Sequence, residues 1–134
     1  MAIEWNNEKM ATGFPEIDAQ HKEWIRQINE FDDAVMNNKG HEVIQNTLDF
    51  LTQYSETHFA GEEAIMAQLN SPVLETNRAE HNKFRGKLSE TRTRVKSEGT
   101  TSVELVALKS ALEDWLVNHI CTVDVQLRKV DPDC

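Results

Sequence analysis

Four of the five histidines in this chain, His21, His58, His81 and His119, fall where a core-facing residue is due, and Glu62 and Asn77 do the same. Buried imidazoles and a buried carboxylate without partners are costly, by several kcal/mol. A metal ion resolves that cost. Neutral imidazole nitrogen and carboxylate oxygen together suit iron, manganese or zinc. A carboxylate has two oxygens and can bridge, which suggests two ions rather than one. His58 and Glu62 are four residues apart, as are Asn77 and His81, so each pair shares one face of a helix.

The elements that would carry these groups are legible as stripes of alternating three- and four-residue spacing. Ile17, His21, Trp24, Ile28, Phe31 and Val35 predict a first helix over about 18–37, with Asp18 as its N-cap and Asn37 to Gly40 ending it. Ile44, Leu48, Leu51, Ser55, His58, Glu62, Ile65 and Leu69 predict a second over about 41–69. Asn70, Ser71 and Pro72 break the chain, with Pro72 suited to a first helical turn. Leu74, Asn77, His81, Phe84, Leu88 and Val95 predict a third over about 73–96. Thr101 with Glu104 reads as a capping box opening a fourth over about 102–120, striped by Leu105, Leu108, Leu112, Trp115 and His119. Residues 1–17 lack periodicity, carry Gly13 and Pro15, and read as an irregular arm pinned by Trp5 and Phe14. Short connections between long helices imply antiparallel neighbours. The expected fold is all-α, an up-down-up-down four-helix bundle with an N-terminal arm.

Counting from the turns sets the heights. His21 lies 19 residues before Gly40 and His58 18 after it; Glu62 lies 9 before Ser71 and His81 10 after it. His81 lies 18 before Gly99 and His119 20 after it. At about 1.5 Å per residue each pair is level within roughly 3 Å. A single core histidine is ordinarily a satisfied core residue; four at one level with a glutamate are not explained that way. Asp124 is different. It is five residues past His119, about 140° around an ideal helix, and reaches the same point only if the helix kinks or ends near Ile120. The β-branched run Ile120, Thr122 and Val123 makes a break plausible, and spacing alone leaves both outcomes open.

Bulk properties narrow the classes. The chain has 134 residues, one domain's worth, with 39% hydrophobic and 28% charged residues. A net charge of -9 disfavours nucleic acid and anionic lipid. No apolar run approaches the roughly 18 residues of a membrane span. The start lacks the features of a signal peptide, and Cys121 and Cys134 make no disulfide framework, so a reducing cytoplasmic setting is expected.

Four stretches then take on meaning together: Ile17-Asp18-Ala19-Gln20-His21-Lys22, His58-Phe59-Ala60-Gly61-Glu62-Glu63, Arg78-Ala79-Glu80-His81-Asn82-Lys83-Phe84, and Trp115-Leu116-Val117-Asn118-His119-Ile120 followed by Asp124. In this order and at these separations they resemble the hemerythrin family, above all its bacterial members, over essentially the whole chain. The resemblance implies a bundle holding two non-haem irons joined by an oxo or hydroxo bridge. It implies that Glu62 and Asp124 bridge, that His21 and His58 bind the iron that receives dioxygen, and that His81 and His119 bind the other. It further implies a pocket walled by Trp24, Phe59, Trp115, Leu116 and Ile120, although large apolar side chains fill cores anyway. The chain departs from the family pattern at Asn77, where a histidine would complete an HxxxH pair. Asparagine offers a weak carbonyl oxygen, or leaves the place to water.

The resulting expectation is a protein that binds dioxygen or another small diatomic or anionic ligand. The departure at Asn77 favours an oxygen or redox sensor over a carrier. As in bacterial relatives, such a domain could serve a C-terminal signalling module such as a diguanylate cyclase or a chemoreceptor. A di-iron oxidase, peroxidase or ferroxidase is the enzymatic alternative, and a single zinc or iron site another. A ferritin-like pattern is absent, since neither His81 nor His119 has Glu three residues before it. His41 reads as exposed, Glu63 as solvated, Met66 as core filler and Cys121 as a small buried hydrophobe pointing away from His119.

Overall fold

In the computed structural model, which describes residues 3–130, helices carry nearly all of the chain. A one-turn helix α1 (Asn7–Met10) precedes four long ones: α2 (Pro15–Met36), α3 (Gly40–Gln68), α4 (Leu74–Glu98) and α5 (Ser102–Thr122). A 3-10 helix (Asp124–Val130) follows. Cys134 lies outside the described residues. The four long helices form the expected bundle, and no strand occurs among the described residues.

The apolar stripes fill the interior. Trp24, Ile28, Phe31, Leu48, Leu51 and Phe59 are all but inaccessible in the main cluster. Ile17, Met66 and Leu127 make a smaller one. Ile17 precedes His21 by one turn and Met66 follows Glu62 by one turn, which in antiparallel helices is one side of the polar layer; Trp24, Leu51 and Phe84 of the main cluster lie on the other. Backbones approach closely along the α2–α3, α3–α4 and α2–α5 seams. Between α4 and α5 the packing instead leaves an open groove.

Several boundaries differ from the sequence reading. α2 begins at Pro15, not near Asp18, because proline at the first helical position sacrifices only an N–H that has no partner there. Asp18 is therefore inside the helix and does not cap it. Its Oδ1 accepts from Thr12 N at 2.9 Å and Thr12 Oγ1 at 2.8 Å, tying the arm down. The arm is less irregular than expected, since Asn6 caps α1 through its side chain. It is held further along by Asn29, which bonds both Ile3 N and Ile3 O. Gly40 opens α3 and does not end α2; the positive φ of that turn, 60°, falls on Asn38. A Cβ on Gly40 would meet Leu105 Cδ1 at 3.0 Å, so the residue is small for packing reasons. Pro72 sits just ahead of α4, whose N-cap is Val73. Thr101 does cap α5, accepting from Glu104 N at 3.2 Å.

Away from the polar layer, Lys109 on α5 is buried and pairs with Asp32 on α2 at 3.2 Å and Glu113 at 3.6 Å. Nothing in the apolar pattern announced that pair.

Candidate metal centre

His21, His58, His81 and His119 come from α2, α3, α4 and α5 respectively, and all four are buried within the bundle. Each turns its Nε2 inward. Glu62, fully buried, stands between them: Oε2 lies 3.2 Å from His58 Nε2 and 3.4 Å from His21 Nε2, while Oε1 lies 3.3 Å from His81 Nε2. Asp124 mirrors it, with Oδ2 at 3.1 Å from His21 Nε2 and Oδ1 at 3.1 Å from His119 Nε2. Two four-residue sets result, His21/His58/Glu62/Asp124 and His81/His119/Glu62/Asp124, each with ligand-type atoms within 4.8 Å of one another. Both carboxylates belong to both sets.

Asp124 reaches this point because α5 stops. Its last α-helical residue is Thr122, Val123 turns the backbone, and Asp124 opens the 3-10 helix. The break falls two residues later than Ile120, at the end of the β-branched run that weakens the helix there.

Three of the four outward ring nitrogens are tethered, and His21 Nδ1 is buried without a hydrogen bond. His58 Nδ1 donates to Gln20 Oε1 at 2.6 Å, His81 Nδ1 to Glu63 Oε2 at 2.8 Å, and His119 Nδ1 to Glu80 Oε1 at 2.8 Å. These oxygens only accept, so each Nδ1 carries a proton, and the Nε2 facing the interior is the atom that would bind a metal. Sequence reasoning missed all three partners and placed Glu63 in solvent; instead it is only 18% exposed and bonded to His81. A signal was present: each is a hydrogen-bond acceptor one position from His21, Glu62 or His81.

Electrostatics describe a site short of positive charge. His81 Nε2 and His119 Nε2 face each other at 3.2 Å, where two lone pairs need a proton or a cation between them. Burial pulls the His21 imidazole down, but hydrogen bonds and charge from Asp124 and Glu62 outweigh it and push it up to about 9. Burial likewise lowers His119, and Asp124, Glu80 and Glu62 together raise it to about 9. Burial would lift Glu62, yet the imidazoles of His21, His58 and His81 hold it well below the usual carboxylate range. Glu62 Oε2, both Asp124 oxygens and Asn77 Oδ1 are buried without a hydrogen bond. Unsatisfied acceptor oxygens of this kind, with those of Glu62 and Asp124 converging between the histidines, fit a pair of cations.

Asn77 is fully buried beside Glu62. Its Nδ2 donates to Glu62 Oε1 at 2.7 Å and to Met66 Sδ at 3.1 Å. Met66 is buried in the smaller cluster, as expected of filler. The residues expected to wall a pocket separate into two kinds. Trp24, Phe59, Leu116 and Ile120 are buried in the main cluster. Phe59 stacks on His81 with centroids 3.7 Å apart, and Trp24 meets His58 edge-on at 5.7 Å. Trp115 is only half-buried; one face stacks on His119 at 4.6 Å, and the ring also borders the α4–α5 groove. His41 is exposed, and Cys121 is half-buried rather than buried.

Comparison with known proteins agrees with this geometry. The Hemerythrin HHE cation binding domain matches residues 12–127. A bacteriohemerythrin of Pseudomonas aeruginosa (strain UCBPP-PA14) is 33% identical over 116 residues, covering 87% of this chain and 72% of the relative. One from Methylococcus capsulatus (strain ATCC 33009 / NCIMB 11132 / Bath) is 29% identical over 120 residues, covering 90% and 89%. In fold, the chain superposes on a wild-type hemerythrin crystal structure with a TM-score of 0.84 at 24% identity, covering 97% of this chain and 98% of the other. The crystal structure of a hemerythrin point mutant gives the same TM-score, 0.84, at 25% identity and the same coverage, 97% and 98%. With the matched region running from the arm to the 3-10 helix and enclosing every residue of the polar layer, the chain belongs to the hemerythrin family of cation-binding domains.

Proposed function

We propose that this domain holds two non-haem irons and binds dioxygen or a similar small ligand, reporting oxygen or redox state. The observation that carries the proposal is the division of each carboxylate's two oxygens between two histidine pairs. In this reading His21 and His58 would hold one ion, His81 and His119 the other, and Glu62 and Asp124 would be shared by both. Each ion would then have two imidazoles, with Asn77 standing where the family resemblance expects a fifth histidine. When bound, a pair of ferrous ions supplies the electrons and coordination that a diatomic ligand requires.

The rest falls to the protein. Gln20, Glu63 and Glu80 fix the ring orientations. Trp24, Phe59, Leu116 and Ile120 keep the interior apolar and exclude water. A donor set short of one nitrogen favours oxidation over durable carriage, which supports sensing. A cytoplasmic setting and a signalling module on the same polypeptide, such as a diguanylate cyclase or a chemoreceptor, belong to the same proposal. The segment suited to relay a change is the end of α5, where Asp124 is joined to the helix through the Val123 break. No helix among the described residues is long and apolar enough to cross a membrane.

Iron content and the optical spectrum of anaerobically reduced protein, before and after air, test the proposal. About two irons per chain and prompt conversion to the oxidised form are expected. One ion per chain overturns the paired site, and a visible band that persists for minutes and reverses under vacuum overturns sensing in favour of carriage.

Loading should also move protons. His21 and His119, raised to about 9, carry protons at neutral pH in the metal-free protein. Metal ligands must be deprotonated, so ferrous uptake at pH 7 should release about two protons per chain. The release shrinks, and apparent affinity grows, as pH rises through about 9. A pH-stat titration reads this directly, and uptake without proton release would contradict the assigned ligands.

A further inference from the structure

The groove between α4 and α5 encloses about 620 Å³ and is lined by Phe84, Leu88, Leu108, Leu112 and Trp115 among others. It contains none of the polar layer's ligand-type residues and meets that layer at Trp115, which stacks on His119. It runs from Lys83 to Arg94 along α4, about 16 Å at 1.5 Å per residue. Its two ends differ in chemistry. Arg94 Nη1 pairs with Glu104 across the far end and closes it. At the other end Lys83 and Lys87, one turn apart and both exposed, form no ion pair among the described residues. On the opposite wall α5 brings Ala111, Leu112 and Trp115 to that end, none of them acidic. Of the acids nearest these lysines in sequence or on the facing helix, Glu80 is engaged with His119, while Glu90 and Asp114 are exposed. A chain of net charge -9 thus keeps a positive lip at the mouth of an apolar slot.

We propose that this groove binds a free single-chain amphiphile with an anionic head, a fatty-acid carboxylate being the representative class. The tail would lie against Leu88, Leu108 and Leu112, and the carboxylate would meet Lys83 and Lys87. The size selects a thin occupant. The enclosed volume falls in the range of small-molecule sites, about 300–1,000 Å³. Trp115 forms part of the wall, which gives the site a fluorescent reporter, read at one fixed state of metal loading because the same ring stacks on His119.

The test titrates the full chain with laurate below its micelle concentration, following Trp fluorescence and heat. A cationic amphiphile with the same tail, dodecyltrimethylammonium, is titrated in parallel. One laurate per chain is expected, bound about tenfold tighter than the cation, the reach of two exposed ion pairs. Lys83→Glu combined with Lys87→Glu should invert that order, and Leu108→Arg should abolish binding of both while leaving iron content unchanged. Equal affinity for the two amphiphiles overturns the proposal even if a variant fails to fold. So does binding to anionic vesicles without binding to free laurate, or sedimentation showing that a second copy of the chain covers the groove.

Discussion

Glu62→Gln should empty the centre, taking iron from about two per chain to near zero. The substitution keeps the shape of the side chain and removes its charge. It also turns one oxygen into an NH2 donor. Oε1 faces His81 and Oε2 faces His21 and His58, so whichever way the amide turns, N–H bonds point at an imidazole lone pair. Both ions lose a shared anionic ligand at once. The helical circular dichroism of the metal-free protein should survive, because the apolar clusters on either side of the layer are untouched. Glu63→Gln is the matched control. It leaves the ligand-type atoms in place and weakens the tether on His81 Nδ1, along with the ion pairs to Arg78 and Arg85; such outer partners are typically worth about 10–100-fold in metal affinity. Two irons per chain in Glu62→Gln would sink the bridging role.

Asn77→His should act in the opposite direction. The new imidazole would rise from the same position on α4 and present a third nitrogen to the ion served by His81 and His119. Iron should then leave to a chelator more slowly by about 10–100-fold, taking the change of a single supporting group as the scale. Air oxidation of the reduced protein should slow as well. The larger ring must displace contacts with Met66 Sδ at 3.1 Å and Glu62 Oε1 at 2.7 Å. Methionine is flexible and can yield. Chelation kinetics and stopped-flow oxidation measure both effects. Unchanged rates would mean that Asn77 already supplies an equivalent ligand, and the case for sensing over carriage would lose its main support.

Much of this site was readable from sequence because helical periodicity is a strong code. A bundle forces inward residues onto stripes, so His21, His58, Glu62, His81 and His119 stood out as polar residues in apolar rows. Counting from the turns gave their common height. Asp124 was undecidable on spacing, since its placement depends on where α5 ends, a balance among Thr122, Val123 and the residues after them. The outer partners were hidden for a different reason. Gln20, Glu63 and Glu80 sit off the stripes, and only the rotation of each helix about its axis decides whether such side chains reach a ring or water. Helix starts were also hard to place. Phe14 is the N-cap of α2 without making a side-chain bond, so Asp18, four residues later, was the better-looking candidate.

The position of Asp124 has a topological consequence. His21 and Asp124 are about a hundred positions apart along the chain, yet their ligand atoms lie 3.1 Å from each other. Ions held between them would cross-link the first long helix to the segment after the last, closing one loop around nearly the whole domain. The entropy removed from the unfolded chain grows with the logarithm of loop length, so this clasp lies near the favourable end of what any cross-link in the domain could achieve. Metal occupancy would then set how firmly the C-terminal segment is anchored, much as a buckle sets the tension of a strap.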